Sequence, residues 1–348
     1  MSEKFTLREM QPSDGLAVQR LMENDPPTSG MSMTTHFLVD PYQAWQALKP
    51  TMIGVVAQAV DSDELVGTAT VNFDHMQFDG QVLPVASLEN LKVHHAYRGQ
   101  GLGTQLAQWR IEKARERFGD NGVILTGTTS DNAASLATMN KWAKQFLGPI
   151  LLAPRATRTK PPAPLSGVTV RPAEMGDFAE IADKSNRFYA PYNVYIPFSA
   201  ETIEKTLQIA PQVYYYRIAV DANGKIVAGA MILDRPRLMF DKFHNVPLPL
   251  RLINTVAHLL PADNVLRAME VVYMWFDQLS AAQYLWEYLR WEFRDRASSM
   301  AQGIDPRSPL MDVVALKPWH QPRIEIRVAI QAPMVIDTDK WISNIARG

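Results

Sequence analysis

The chain has 348 residues, 35 Lys and Arg against 36 Asp and Glu, and no cysteine. That length predicts about two domains, and the balanced charge excludes a general affinity for nucleic acid or for an anionic membrane surface. Without cysteine there are no disulfides, thiolate metal sites or cysteine nucleophile; no run reaches the length of a membrane span and the opening M-S-E-K-F-T-L-R has no signal core, so a cytoplasmic protein is expected.

Apolar periodicity and turn residues predict, in chain order, a strand at 4–9, helices at 12–24 and 41–48, and strands at 51–60, 65–75 and 81–93. A helix at 103–118, a strand at 122–128 and a helix at 131–146 complete the first half. Leu91 and Val93 alternate at the end of the third of those strands, after which Gly99, Gly101 and Gly103 leave three positions without a Cβ. Helical spacing then takes over, with Gly103, Ala107, Ile111, Ala114 and Phe118 on one stripe that Leu106 and Trp109 widen. A glycine loop feeding a helix N-terminus aims unpaired N–H groups and the positive end of the helix dipole at one spot, which makes an anion site suited to phosphate. It is no P-loop, because no Gly-Lys-Ser/Thr closes it. Nor is it a dinucleotide fingerprint, since G-Q-G-L-G stands in place of G-x-G-x-x-G.

Residues 153–167, A-P-R-A-T-R-T-K-P-P-A-P-L-S-G, read as a proline-rich surface linker. Beyond it the chain echoes its first half. V-T-V-R-P-A-E-M-G-D at Val168–Asp177 repeats F-T-L-R-E-M-Q-P-S-D at Phe5–Asp14, and a hairpin around Asn223-Gly224 repeats the one around Asp61. A long insertion, Arg235 to Pro261, carries the apolar Leu248, Leu250, Ile253 and Leu259. A-M-E-V-V-Y-M-W-F-D then reads as the equivalent central strand, followed by a helix with Ala282, Leu285, Leu289 and Phe293 on one face. Tyr284, Trp286, Tyr288, Trp291 and Phe293 cover nearly all sides of that helix, which points to burial or to a domain or subunit contact and leaves a homodimer open. At the turn where glycines should stand, Asp277-Gln278-Leu279-Ser280-Ala281 has none, so this copy is poorly suited to pyrophosphate. The expected division is 1–152, linker 153–167, and 168–348.

The segment from Val93 to Gly103 closely resembles the acetyl-CoA signature of the GNAT N-acetyltransferase superfamily. That signature is a strand ending in Val, four residues, then R/Q-x-x-G-x-G/A. Here it is Val93, His94-His95-Ala96-Tyr97, and Arg98-Gly99-Gln100-Gly101-Leu102-Gly103. The resemblance implies an α/β (α+β) chain of two tandem GNAT-like domains, each a mixed, mostly antiparallel central sheet flanked by helices. It implies that the N-terminal copy binds acetyl-CoA and acetylates a primary amine of a small molecule or peptide, by direct attack in a ternary complex. In such a site the loop from Arg98 through Gly99, Gln100, Gly101, Leu102 and Gly103 to Thr104 holds the pyrophosphate, and the strand at Leu91 and Val93 pairs with pantetheine. The Val93 amide would serve as the oxyanion donor. Ser130-Asp131-Asn132-Ala133-Ala134-Ser135 resembles the family's Asn-containing helix start, which brings Asn132 and Ser135 to the cofactor; Asn132 is also an ordinary helix cap by type. Seven residues past that Asn, where the family often has a tyrosine near the sulfur, this chain has Met139. Another hydroxyl, such as Tyr97 or Ser135, or an unassisted thiolate must then replace it.

For the base, Glu89 is the first candidate, because it shares strand parity with Leu91 and Val93 and so is expected along the same face. A partly buried carboxylate beside a thioester suits proton acceptance from an ammonium group; a structural ion pair is the alternative. Asp74 and His36 are weaker candidates. His94 and His95, consecutive on a strand, should point to opposite faces and so not chelate one ion, and no metal is expected. Segments 22–45 and 74–82 should shape the acceptor site, where Glu23, Asp25, Asp40, Asp74 and Asp79 would favour a cationic amine. The competing function class is a CoA-sensing or protein-interaction module that keeps the loop without turnover, with Met139 as its support.

Overall fold

The structure is a computed structural model that describes residues 4–23, 32–62, 64–152, 154–249, 251–252, 261, 263–315 and 324–344. Asp25, Leu250, Ile253 and Leu259 lie outside the described residues. The N-terminal half runs β1 (Phe5–Glu9), α1 (Gly15–Glu23), β2 (Ser32–Phe37), α2 (Pro41–Leu48), β3 (Ile53–Ala59) and β4 (Leu65–Phe78). It continues with β5 (Gln81–Val93), α3 (Leu102–Phe118), β6 (Val123–Thr129), α4 (Ala133–Met139) and β7 (Gln145–Leu152). Then come β8 (Arg155–Ala156), β9 (Val168–Pro172), α5 (Phe178–Tyr189), β10 (Tyr192–Asn193), α6 (Ala200–Leu207), β11 (Tyr214–Asp221) and β12 (Ile226–Leu233). The chain closes with β13 (Met239–His244), β14 (Val265–Leu266), β15 (Ala268–Phe276), α7 (Leu279–Glu292), β16 (Ser299–Ala301), β17 (Gly303–Ile304), α8 (Leu310–Val314), β18 (Ile324–Gln331) and β19 (Trp341–Ile342).

Among the described residues two large sheets dominate: eight strands in the order β1-β3-β4-β5-β6-β18-β7-β17, and six in the order β8-β16-β15-β12-β11-β9. Each is antiparallel except at one corresponding place, β5 beside β6 and β15 beside β16. The internal repeat is visible at atomic level. Arg8 grips Asp14 with two bonds of 2.7 Å, and Arg171 grips Asp177 with bonds of 2.6 and 2.8 Å, each at the start of a capped turn. The arginine hydrogen bonds hold both carboxyls below the usual aspartate range.

The halves are interwoven. Ile324–Gln331 inserts between β6 and β7, so the first sheet is completed by a strand from beyond residue 168. Arg155–Ala156, within the proline-rich segment, pairs with β16, and β2 pairs along its length with β13 from the long insertion. None of these was legible locally, because each is a long-range edge contact. The helix expected over 131–146 stops at Met139, and Gln145–Leu152 is a strand that β18 covers.

Helix α3 lies across one face of the first sheet. Leu102, Leu106, Ala107, Ile111 and Ala114 are buried there, as their helical spacing requires. Ala86 and Leu88 of β5 meet Ile111 and Ala114 on that face, whereas Val85 joins Val123 and Leu125 on the other. Trp286 in α7 and Phe293 just after it are core residues, while Tyr284, Tyr288 and Trp291 of α7 are half-buried on the outer side.

Candidate active site

Strands β5 and β6 pair in parallel only over Val85–Ser87 and Val123–Leu125. Beyond that point Thr126 Oγ1 donates to the Leu88 carbonyl at 2.6 Å, and β6 continues to Thr129 paired only with β18, on its other edge. The two strands therefore splay, and a wedge opens at the C-terminal end of β5. On its other edge β5 carries a bulge. Thr68 faces Lys92 and Thr70 faces Glu89, so Asn90 and Leu91 stand opposite the single Ala69. Asn90 takes φ 52°, a left-handed conformation that Asn tolerates, and its side-chain amide donates to Thr70 Oγ1 at 3.0 Å.

The bulge corrects one expectation. It reverses the strand parity, so Val93 packs with the α3 side against Leu102 and Leu106, while Glu89 keeps the parity of Val85 on the opposite face. There Glu89 is paired with Lys49, the residue capping the C-terminus of α2. For Val93 the backbone matters more. The His94 N–H bonds the Val66 carbonyl at 2.9 Å, so by ladder alternation Val93 turns its own N–H and C=O away from β4, toward the splay. The carbonyl accepts from Arg98 Nε at 3.1 Å.

The loop reverses direction on Gly99 (φ 74°) and Gly101 (φ 87°), conformations that a Cβ disfavours. The first intrahelical bonds run from Thr104 and Gln105 to the Gly101 carbonyl, which leaves the N–H groups of Leu102 and Gly103 directed out of the helix end. Lys141 Nζ, 3.0 Å from Thr104 Oγ1, adds a cation at this end. The sequence reading missed Lys141, because it lies past α4, 37 positions from its partner.

One cleft of about 1840 Å³ joins these features. Glu89, Leu91, Val93, Arg98, Gly99, Gly101, Gly103, Thr104, Asn132 and Ser135 all line it. Gln100 lies outside, bonded to Ala96 O and Lys4, and the Leu102 side chain is buried in the core, so only its backbone is available. Asn132 Oδ1 caps α4 through the Ser135 N–H at 3.1 Å. Met139 lines the cleft at 3 % exposure, and Tyr97 lines it while packing edge-on to Phe5.

The far wall comes from the second half. Ile196, Phe198, Thr202, Tyr214, Met231 and Tyr273 face the same cleft, and Gln77 of β4 ties that half down by bonds with Val194 and Tyr195. Most of the acids expected there have structural duties instead. Glu23 accepts from the Phe37 N–H, Asp40 caps α2, and Asp79 accepts from the Asp337 N–H. Asp74 lines the cleft, its carboxylate accepting from the His75 N–H. His36 sits on β2, stacked on Phe240 and 3.6 Å from Glu23. His94 and His95 are not on opposite faces, since the strand has ended and their rings lie 4.4 Å apart. Among the described residues, no cluster of three or more metal-ligating side chains occurs.

In the second half the turn at Asp277 is occupied. Lys184, buried on α5, reaches Asp277 at 2.9 Å and Glu180 at 3.1 Å and also bonds the Ile226 carbonyl. An ion pair stands where the first half has its open glycine loop.

A bulged central strand, a splay and a glycine loop at a helix N-terminus, all opening into one cleft, define the class: an acyl-CoA-dependent N-acyltransferase. Residues 19–143 match the family model for the acetyltransferase (GNAT) family, so the chain carries a GNAT domain. Its fold is similar over nearly its whole length to the Saccharomyces cerevisiae N-myristoyltransferase solved with bound myristoyl-CoA, at 11 % identity and TM-score 0.66, covering 98 % of this chain and 84 % of that one. It is also similar to a GCN5-related N-acetyltransferase from Sphaerobacter thermophilus, at 16 % identity and TM-score 0.61, covering 97 % and 99 %. Comparison with curated protein sequences gives no match. No described helix is long and apolar enough to cross a membrane.

Proposed function

We propose that the chain transfers an acetyl group from acetyl-CoA to a primary amine, by direct attack in a ternary complex within the cleft of its N-terminal half. The observation that carries this reading is the shared opening of the Arg98–Thr104 loop and the Val93 backbone into one cleft. Pyrophosphate on the loop amides and the Lys141 side would lay pantetheine along the splayed edge of β5, bringing the thioester toward the Val93 N–H. The amine nitrogen attacks the thioester carbon and the C–S bond breaks. The ammonium proton passes to a base and the thiolate leaves with CoA. Glu89 is the proposed base. Because its carboxylate holds Lys49, the acceptor ammonium must exchange with Lys49 before it can lose a proton there. The acceptor enters beside the apolar wall of the second half, and a small molecule or a peptide terminus both fit that description.

Incubation with acetyl-CoA and a panel of amines, following free thiol, tests the proposal. Thiol release that depends on one class of amine supports it. Tight acetyl-CoA binding with no amine-dependent release would instead make the chain a CoA-sensing module.

A further inference from the structure

Arg110 lies in the middle of α3 and is 4 % exposed, a charged residue within the apolar stripe of that helix. A buried guanidinium normally requires a carboxylate partner. Here its hydrogen bonds go to three carbonyl oxygens: Leu106 at 3.2 Å, Thr70 at 3.4 Å and Glu89 at 3.0 Å. Thr70 and Glu89 are the cross-strand pair on which the β4–β5 ladder resumes after the bulge, and Arg110 itself borders the cleft. We propose that Arg110 is a positioning residue for the transfer, holding the bulge from beneath so that the Val93 N–H stays aimed at the thioester oxygen, with its buried charge favouring the oxyanion. The inference rests on the function proposed above.

Two features support this role over a purely structural one. Any apolar side chain could fill the space under the sheet without the cost of desolvating a charge, and that cost is real, since burial pushes the guanidinium down to about 9 against the opposing pull of Glu89. In addition, one guanidinium nitrogen, Nη1, reaches the carbonyls of both strands at that pair, Thr70 at 3.4 Å and Glu89 at 3.0 Å, a bridge across the ladder that an apolar side chain cannot make.

Arg110→Gln keeps a donor and removes the charge; Arg110→Lys keeps the charge with a single point of contact. Arg110→Gln should lower turnover by about 10²-fold with the KM for acetyl-CoA within about twofold, and Arg110→Lys should recover roughly a tenth of wild-type turnover or more. Wild-type turnover in Arg110→Gln, or a loss of affinity matching the loss of turnover, would overturn the inference. If the Gln variant does not fold, the Lys variant decides through the bound-cofactor measurement that follows. A measurement that needs no acceptor separates this inference from the function itself. The carbonyl ¹³C shift of bound, labelled acetyl-CoA should move toward that of the free thioester in the variants, and an unchanged shift overturns the positioning role even where wild-type turnover is absent.

Discussion

Gly101 offers a clean perturbation of the loop. It sits at φ 87°, ψ −8° as the N-cap of α3, and a Cβ built on it meets no atom within 4 Å. A side chain there therefore costs backbone strain but no clash, about 1–2 kcal/mol for most residues and less for Asn or Asp, which tolerate the left-handed region. Gly101→Asn and Gly101→Asp have nearly the same shape and differ by one negative charge, so their difference isolates electrostatics. A carboxylate about 4 Å from a phosphate is repelled by about 1 kcal/mol in bulk water and about 4 kcal/mol at an effective dielectric near 20. The loop is exposed, which places the repulsion in the lower part of that range, and roughly a 10- to 100-fold weaker Kd for acetyl-CoA should follow in the Asp variant relative to Asn. Calorimetric titration at about 0.05 and 0.5 M salt reads it, and the gap should narrow at the higher salt as the Debye length shrinks. Equal affinities in two folded variants would refute phosphate binding at this helix end.

Glu89→Gln should leave acetyl-CoA affinity intact and lower turnover by about 10²-fold with a flattened acid limb in the pH–rate profile; wild-type kinetics would return Glu89 to a structural partner of Lys49. Met139→Tyr introduces a larger side chain at a site only 3 % exposed, so thermal denaturation should show about 1–3 kcal/mol of destabilisation, a cost that the sequence alone did not reveal. Asp14 is held below its ordinary pKa by Arg8, so the stability it adds is present above about pH 4 and lost as pH falls through the lower folded value. Asp14→Asn should be less stable at pH 7 by about 1 kcal/mol, allowing for the solvent exposure of Arg8, and equal to wild type in strong acid. A fragment ending at residue 167 lacks β18 and exposes the edges of β6 and β7, so it should fail to fold cooperatively by circular dichroism, whereas cooperative melting would show β18 to be dispensable.

The sequence reading was strongest where a signal is local. The glycine loop, the stripe of α3 and the paired Arg–Asp openings of the two halves each occupy fewer than twenty consecutive residues, and each lies where its spacing placed it. It weakened where the cause is distant. A bulge is decided by the register of the neighbouring strand, so the parity expected to be shared by Glu89 and Val93 does not hold. The strand Ile324–Gln331 finds both of its partners, β6 and β7, in the first half of the chain, and nothing in its own local sequence marks that place between them. Arg110 was legible in principle, four residues past Leu106 and four before Ala114, as a charge in an apolar stripe. That placement marks a buried cation without identifying its carbonyl partners.

The central claim is that one acyl-CoA binds per chain, in the N-terminal cleft, because the corresponding turn of the second half is closed by Lys184 on Asp277. Calorimetric titration of acetyl-CoA into the full chain measures this directly. The account predicts a stoichiometry of one that falls to no detectable binding when Gly101→Asp is combined with Lys141→Glu. A stoichiometry of two, or a single site that survives both substitutions, would contradict it.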